Sequence, residues 1–277
     1  MNTDFWAERC LFQDCKILAN NGSGAAFWAN NWTTLIDCVA DGCATKNRSV
    51  VYGGTANKVR MMDCVVRGSN AGSAVIDGHA SMLFTRCVFT NNDVALLSKA
   101  VADTFRNCLF AGNAQPVNVP DSTCENCTFA GNPAGGLYID NASRRPVFVN
   151  CVSAANGNDA NISFASGVDA SGIVLTNCCI QGATAEVLAR DPTGASFSPR
   201  TPRFIDAAGG NYRLAANSPL REAGLPLGWM VPGSTDLDGN PRLVSLRGKP
   251  FVPDALPDIG CYECQTRKAL GTTLIMQ

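Results

Sequence analysis

Apolar residues in this chain come in short bursts, without the three-to-four-residue spacing of an amphipathic helix. Val50-Val51-Tyr52, Val75-Ile76, Leu137-Tyr138-Ile139 and Ile173-Val174-Leu175 are β-branched or aromatic runs separated by Gly, Asn, Asp and Ser. That alternation predicts short strands joined by turns. A longer period runs through them. The segments Arg9-Cys10-Leu11-Phe12, Asp37-Cys38-Val39-Ala40, Asp63-Cys64-Val65-Val66, Arg86-Cys87-Val88-Phe89, Asn107-Cys108-Leu109-Phe110, Asn126-Cys127-Thr128-Phe129, Asn150-Cys151-Val152-Ser153 and Asn177-Cys178-Cys179-Ile180 align eight cysteines at spacings of 28, 26, 23, 21, 19, 24 and 27 residues.

Other columns hold the same register. Three residues before the cysteine stand Leu35, Met61, Phe84, Phe105, Cys124, Phe148 and Leu175, and two after it Phe12, Ala40, Val66, Phe89, Phe110, Phe129, Ser153 and Ile180. Both columns are largely apolar. Five after it come Cys15, Cys43, Ser69, Asn92, Asn113, Asn132, Asn156 and Ala183, small or amide residues suited to tight turns. The period of two places the cysteine and the residue two later indoors, and the residues flanking the cysteine outdoors. Uneven repeats of two or three short strands fit a solenoid of stacked coils. Propeller blades run to ~40 residues or more, and leucine-rich repeats need a leucine consensus that is absent. The pattern therefore predicts an all-β parallel β-helix of about eight coils.

Composition narrows the partners. The 277 residues are 46% hydrophobic and 16% charged, with Lys+Arg 22 against Asp+Glu 23. A phosphate-backbone binder needs a basic surplus on one face, so nucleic acid is not an expected partner. No window approaches the ~18 uninterrupted apolar residues of a membrane span. The start, Met1 to Trp6, has no basic n-region or apolar core of a signal peptide. That leaves either a soluble chain without an export signal or a piece of a longer exported one.

The fourteen cysteines admit three readings. In-register strands hold Cα atoms ~4.8 Å apart with parallel Cβ vectors, a poor geometry for disulfides between rungs. Zinc sites want paired cysteines with further ligands at set spacing, and the chain has one histidine. Free cysteine packs as a small apolar side chain, so the eight aligned cysteines and Cys124 are expected as reduced, buried rungs. Cys15/Cys43 and Cys261/Cys264 remain as disulfide candidates.

Asn107-Cys108-Leu109-Phe110-Ala111-Gly112-Asn113 and Asn126-Cys127-Thr128-Phe129-Ala130-Gly131-Asn132 resemble the coil consensus of bacterial right-handed parallel β-helix repeat proteins of the pectin-lyase-like superfamily. The tail resembles, in order, the C-terminal segment of the choice-of-anchor Q group of those proteins. Its matching stretches are Thr201–Ala207, Gly210–Leu214, Asn217–Gly224, Thr235–Arg242 and Pro257–Glu263. The resemblance implies a right-handed helix and a secreted or cell-surface protein, in a group without one assigned activity. Residues 1–190 are expected to form the helix and 191–277 an irregular cap. Phe204, Tyr212, Leu214 and Trp229 would close the core, and Asp236, Asp238, Arg242, Asp258 and Glu263 would pin the cap by ion pairs. The N-terminal end has no comparable cover, which predicts a longer natural polypeptide or self-association through that end.

Coils two to four gather Asp37, Asp41, Asp63, Arg67 and Arg86. Opposed carboxylates such as Asp37 and Asp63 repel unless a cation or arginine offsets them. One reading is a solvated ladder of charge pairs, with Arg9 and Arg86 flanking Asp37 and Asp63 and Arg67 beside Asp41. The other is a catalytic cluster. Pectate-lyase-like enzymes, which such a fold resembles, bind Ca²⁺ between carboxylates and an acidic sugar while Arg or Lys takes the proton. Asp37, Asp41 and Asp63 would then hold Ca²⁺, with Arg67 or Arg86 as base. Asn2-Thr3-Asp4 and Asp77-Gly78-His79 resemble parts of polygalacturonase motifs, but their companions do not follow. Trp6, Trp28 and Trp32 are candidate ligand-binding residues, since aromatic faces stack on sugars. Two functions stay open. One is a surface rod that binds glycan or protein ligands, and the other a lyase or hydrolase acting on acidic polysaccharides in a groove along the coils.

Overall fold

The computed structural model describes residues 5–17, 24–29, 32–46, 49–53, 59–71, 74–78, 81–93, 103–197, 201–244 and 255–265. Two parallel sheets of eight strands each run its length. The first contains Phe5–Glu8, Thr33–Ile36, Val59–Met62, Leu83–Thr85, Thr104–Arg106, Thr123–Glu125, Val147–Val149 and Val174–Thr176. The second contains Leu11–Gln13, Val39–Asp41, Val65–Arg67, Val88–Thr90, Leu109–Ala111, Thr128–Ala130, Val152–Ala154 and Cys179–Ile180. Each aligned cysteine sits at the corner between the two strands of its rung. A third face carries smaller sheets, among them the three-stranded one of Phe27–Ala29, Ser49–Gly53 and Ala74–Gly78. The parallel β-helix expected from the repeat is the architecture found. Among the described residues no helix is long and apolar enough to cross a membrane.

The corners explain the repeat. The residue before every aligned cysteine, from Arg9 to Asn177, has φ between 50° and 56°. Asn and Asp tolerate this left-handed region because their short polar side chains bond locally. A second such corner falls four residues after the cysteine, at Asp14, Gly42, Gly68, Asn91, Gly112, Gly131, Ala155 and Gly182. The column before the cysteine, expected on a strand's outer face, is therefore the turn itself. Asn-Cys and Ala-Gly-Asn are backbone signals.

Inside, side chains stack like with like. Phe84 lies on Phe105 at 4.7 Å and 8°, and Phe110 on Phe129 at 4.7 Å and 2°. Each buried Phe contributes roughly 2–3 kcal/mol of transfer free energy. From Cys38 to Cys178, each aligned thiol points at a carbonyl of its own rung and one of the rung before, at 3.2–3.6 Å. Asn92, Asn113, Asn132 and Asn156 turn inward to form a buried ladder. Each carboxamide NH₂ donates to the next asparagine's Oδ1 at 3.0, 3.0–3.2 or, to Asn161, 2.9 Å, and to a carbonyl of the preceding rung.

All fourteen cysteines are free, so Cys15/Cys43 and Cys261/Cys264 stand as thiols and not as the bridges considered above. Burial pushes Cys43 up to about 11 and Cys179 and Cys261 up to about 12. Only Cys10, Cys15 and Cys264 are partly exposed. Since the thiolate is the nucleophile, iodoacetamide at neutral pH is expected to label those three in the native protein and all fourteen in denaturant. Labelling at Cys87 or Cys108 without denaturant would contradict the buried ladder.

The C-terminal part divides differently from the single cap expected. Residues 184–197 plug the rod: Val187, in the helix Ala185–Leu188, joins the core, and Phe197 bridges to Cys179. Residues 201–244 and 255–265 lie along the outside of the second sheet. Tyr212, Cys261 and Tyr262 cover Leu109, Ala111 and Ala130, while Leu214, Leu220 and Ile259 cover Val152, Ala154 and Cys179. Tyr212 and Leu214 thus seal the flank, not the end, and Trp229 packs on the Arg106 guanidinium. Four corner carboxamides hold this flank. Asn107, Asn126, Asn150 and Asn177 donate to the carbonyls of Thr235, Asp258, Leu225 and Ala223 at 2.8–3.0 Å.

Candidate functional site

The charged cluster of the early rungs resolves into separate pairs. Asp41 and Arg67 are in-register neighbours on the second sheet, and Arg67 donates to Asp41 at 2.8 Å. That hydrogen bond holds the Asp41 carboxyl below the usual carboxylate range and raises Arg67. Asp63 and Arg86 occupy adjacent left-handed corners, where the guanidinium makes a two-pronged contact at 2.6 and 2.8 Å. The hydrogen bond it donates to Asp63 raises Arg86 against its own desolvation. Arg9 turns away to Glu8 at 2.5 Å, so it does not offset Asp37 as expected. Asp37 is exposed, with no ion pair among the described residues.

These residues do not assemble around one point. Asp37 sits in the left-handed corner before the strand Val39–Asp41 and Asp41 at that strand's far end, so the corner and the strand separate the two carboxylates. Asp41 and Asp63 are each committed to an arginine. Among the described residues no three Asp, Glu, His or Cys side chains group as a metal site, so this donor set does not fit the hard, oxygen-rich shell Ca²⁺ takes. Asn2, Thr3, Asp4 and His79 lie outside the described residues; Asp77 is buried on the third face.

The aromatic candidates divide between two faces. Trp28 is 61% exposed on the third face, edge-on to Tyr52 at 6.4 Å. Trp6 and Trp32 belong to the outer side of the first sheet, 62% and 46% exposed. There Trp6, Thr34, Arg60, Leu83 and Thr104 form one in-register outward column. The Arg60 guanidinium lies 5.7 Å from the centre of the Trp32 ring. Beside it opens a groove of about 250 Å³ lined by Val59, Arg60, Ser81, Met82, Leu83, Thr104 and Arg106. Arg106 is held at its far wall by Glu125 at 2.6 Å and by the Trp229 ring.

Arg60 and Arg106 escaped the sequence reading. They occupy different columns relative to the cysteine and become neighbours of one groove only through the stacking of rungs. Their signal was available in the register: Arg60 stands four residues before its cysteine and Arg106 two before, both outward parities of the same strand.

A family model described as right-handed β-helix region matches residues 49–189, about half of the chain. No curated protein matches it.

Proposed function

Because the chain belongs to the right-handed β-helix family, we propose that it serves as a secreted or cell-surface rod that binds glycans along the outer side of its first sheet. The observation that carries this reading is the exposed Trp32 ring with the Arg60 guanidinium against it, at the mouth of a groove with Arg60 and Arg106 in its walls. An indole face stacks on a sugar ring, and guanidinium groups pair with carboxylates in fork geometry. Together they suit acidic polysaccharide or surface glycan. The resemblance of the coils and tail described above is what supports the extracellular placement in this reading.

The lyase or hydrolase reading has less support. Arg67 and Arg86 are occupied by carboxylates, which hold each guanidinium charged and turned away from a proton-abstracting role. Binding without cleavage is therefore the activity proposed.

On an array of neutral and uronic-acid oligosaccharides the protein is expected to retain acidic glycans, with Trp32→Ala and Arg60→Ala each weakening binding by about tenfold, or 1.4 kcal/mol. Asp63→Ala is expected to leave binding unchanged. No unsaturated product should accumulate from uronic-acid polysaccharides with or without Ca²⁺. Retention that survives both substitutions would sink the assignment of this face, and turnover lost in Asp63→Ala would restore the enzyme.

A further inference from the structure

The groove on the first sheet carries a tryptophan–arginine pair at each end. At one end the Arg60 guanidinium lies 5.7 Å from the centre of the Trp32 ring, and at the other that of Arg106 lies 5.7 Å from the centre of the Trp229 ring. Trp32 leads into the strand Thr33–Ile36 of the rod itself. Trp229 belongs to the flank and meets the first sheet at Arg106. Its ring is half-buried and its indole N–H has no acceptor among the described residues. The guanidinium, not a hydrogen bond of the indole, is what the ring rests on.

Arg60 is in register with Leu83 and Thr104 on the next two rungs, and Arg106 stands two residues beyond Thr104. Two rungs at ~4.8 Å and two residues at ~3.3 Å put the arginine Cα atoms about 12 Å apart. The side chains widen that gap: Arg60 leans to Trp32 on the rung before it, and Arg106 to Glu125 on the rung after. Glu125 takes the Nε–H of Arg106 at 2.6 Å, and the two terminal nitrogens of that fork have no acceptor among the described residues. Between the two arginines Ser81 and Thr104 bring hydroxyls to the groove and Leu83 an apolar side chain.

Building on the glycan-binding role proposed above, we infer that the groove takes an internal stretch of a polyanionic polysaccharide, with one acidic sugar at Trp32–Arg60 and a later sugar of the same chain at Arg106–Trp229. A uronic-acid unit carries one carboxylate, and two guanidinium groups drawn apart over this distance do not share it. Two carboxylates of one chain satisfy both, the second binding at the high effective concentration that the first creates. The ligand class is therefore a chain with carboxylates on recurring units, not a neutral glycan with one acidic terminus. Trp229, lent by the flank, helps to set the length of chain recognised.

Calorimetric titration of the full chain with galacturonate oligomers of increasing length is expected to show weak binding of the monomer and a rise of about tenfold or more once one oligomer reaches from Arg60 to Arg106. Trp229→Ala and Arg106→Gln should each remove that rise and leave the affinity for short oligomers unchanged, whereas Trp32→Ala lowers the affinity at every length. Trp229→Phe, which keeps an aromatic ring, should restore the rise. Length dependence that survives both Trp229→Ala and Arg106→Gln, or a neutral oligosaccharide with one terminal uronic acid bound as tightly as the long oligomers, would overturn the inference and leave the Trp32–Arg60 assignment standing. No binding by the unaltered protein at any length would overturn both.

Discussion

Asn132→Ala is expected to lower the stability of the rod by about 3 kcal/mol, because one carboxamide in the buried ladder serves four partners. Its Oδ1 accepts from the Asn113 backbone N–H at 2.9 Å and from the Asn113 carboxamide at 3.2 Å. Its NH₂ donates to the Phe110 carbonyl at 3.2 Å and to Asn156 Oδ1 at 3.0 Å. Alanine takes this partner from the buried Asn113 backbone N–H and the buried Phe110 carbonyl of the preceding rung, each loss costing roughly 1–3 kcal/mol where water cannot reach. For a chain of this size the melting midpoint should fall by about 5–10 °C. Asn132→Asp separates the two halves of the role: it keeps the acceptor, removes both donors and faces Asn156 Oδ1 with a second oxygen. It is expected to be at least as destabilising as alanine. Urea unfolding followed by circular dichroism reads the difference. A loss below about 1 kcal/mol for both variants would show that the ladder follows the coil geometry and does not sustain it.

The coil period was legible because a solenoid repeats the same local decision at every rung. Cysteine, the apolar residue three before it and the one two after it each fill the same interior slot, so burial wrote itself into three columns. The corners were half legible. Asn113 and Asn132 were read as turn residues, which their backbone position justifies, but a turn signal does not say on which side of the chain the carboxamide lies. Only the stacked rungs show it inward, bonded to the next copy of itself. The column before the cysteine was misread for a related reason. Its change from Arg9, Asp37, Asp63 and Arg86 to Asn107, Asn126, Asn150 and Asn177 looked like a charged patch giving way to a neutral one. In the structure the change marks where residues 201–244 and 255–265 begin to lie against the second sheet: the asparagines donate to the backbone of that flank. Ala111, Ala130 and Ala154 accompany them on the covered strands, small side chains that let the flank approach. That correspondence joins residues 46 to 132 positions apart, and no local period carries it. The Trp32–Arg60 contact was half visible: the aromatic residue was singled out from sequence, and its basic neighbour on the next rung was not.

Arg242→Met is expected to release the flanking segment. Arg242 is fully buried, donating to the Gly260 carbonyl and, at 3.3 Å, to the Asp258 carbonyl, with Glu263 at 3.5 Å. Asp236 accepts the backbone N–H groups of Asp238, Asn240 and Glu263 at 2.7–3.0 Å, and Asp258 those of Glu222 and Cys264 at 2.7 Å. Asp238, expected in this network, instead reaches Arg213 in a two-pronged contact. Three buried carboxylates therefore surround Arg242, with Arg221 as the second buried cation. Burial raises Asp236, Asp258 and, most strongly, Glu263, which the neighbouring Asp258 charge lifts further. A carboxyl raised in the folded state stabilises the fold below its unfolded pKa and loses that contribution as pH rises through the folded value. The segment should accordingly resist proteolysis better in weakly acidic than in alkaline buffer, and Glu263→Gln should flatten that dependence. Removing the guanidinium leaves buried charge uncompensated, at about 3–5 kcal/mol. Since a solenoid's rungs depend mainly on their neighbours, the loss should fall first on the flank formed by residues 201–244 and 255–265, seen as early cleavage there while the strand signal of the rod persists. Arg242→Met with wild-type cleavage kinetics would mean that the apolar contacts of Tyr212, Leu214 and Ile259 hold the flank unaided.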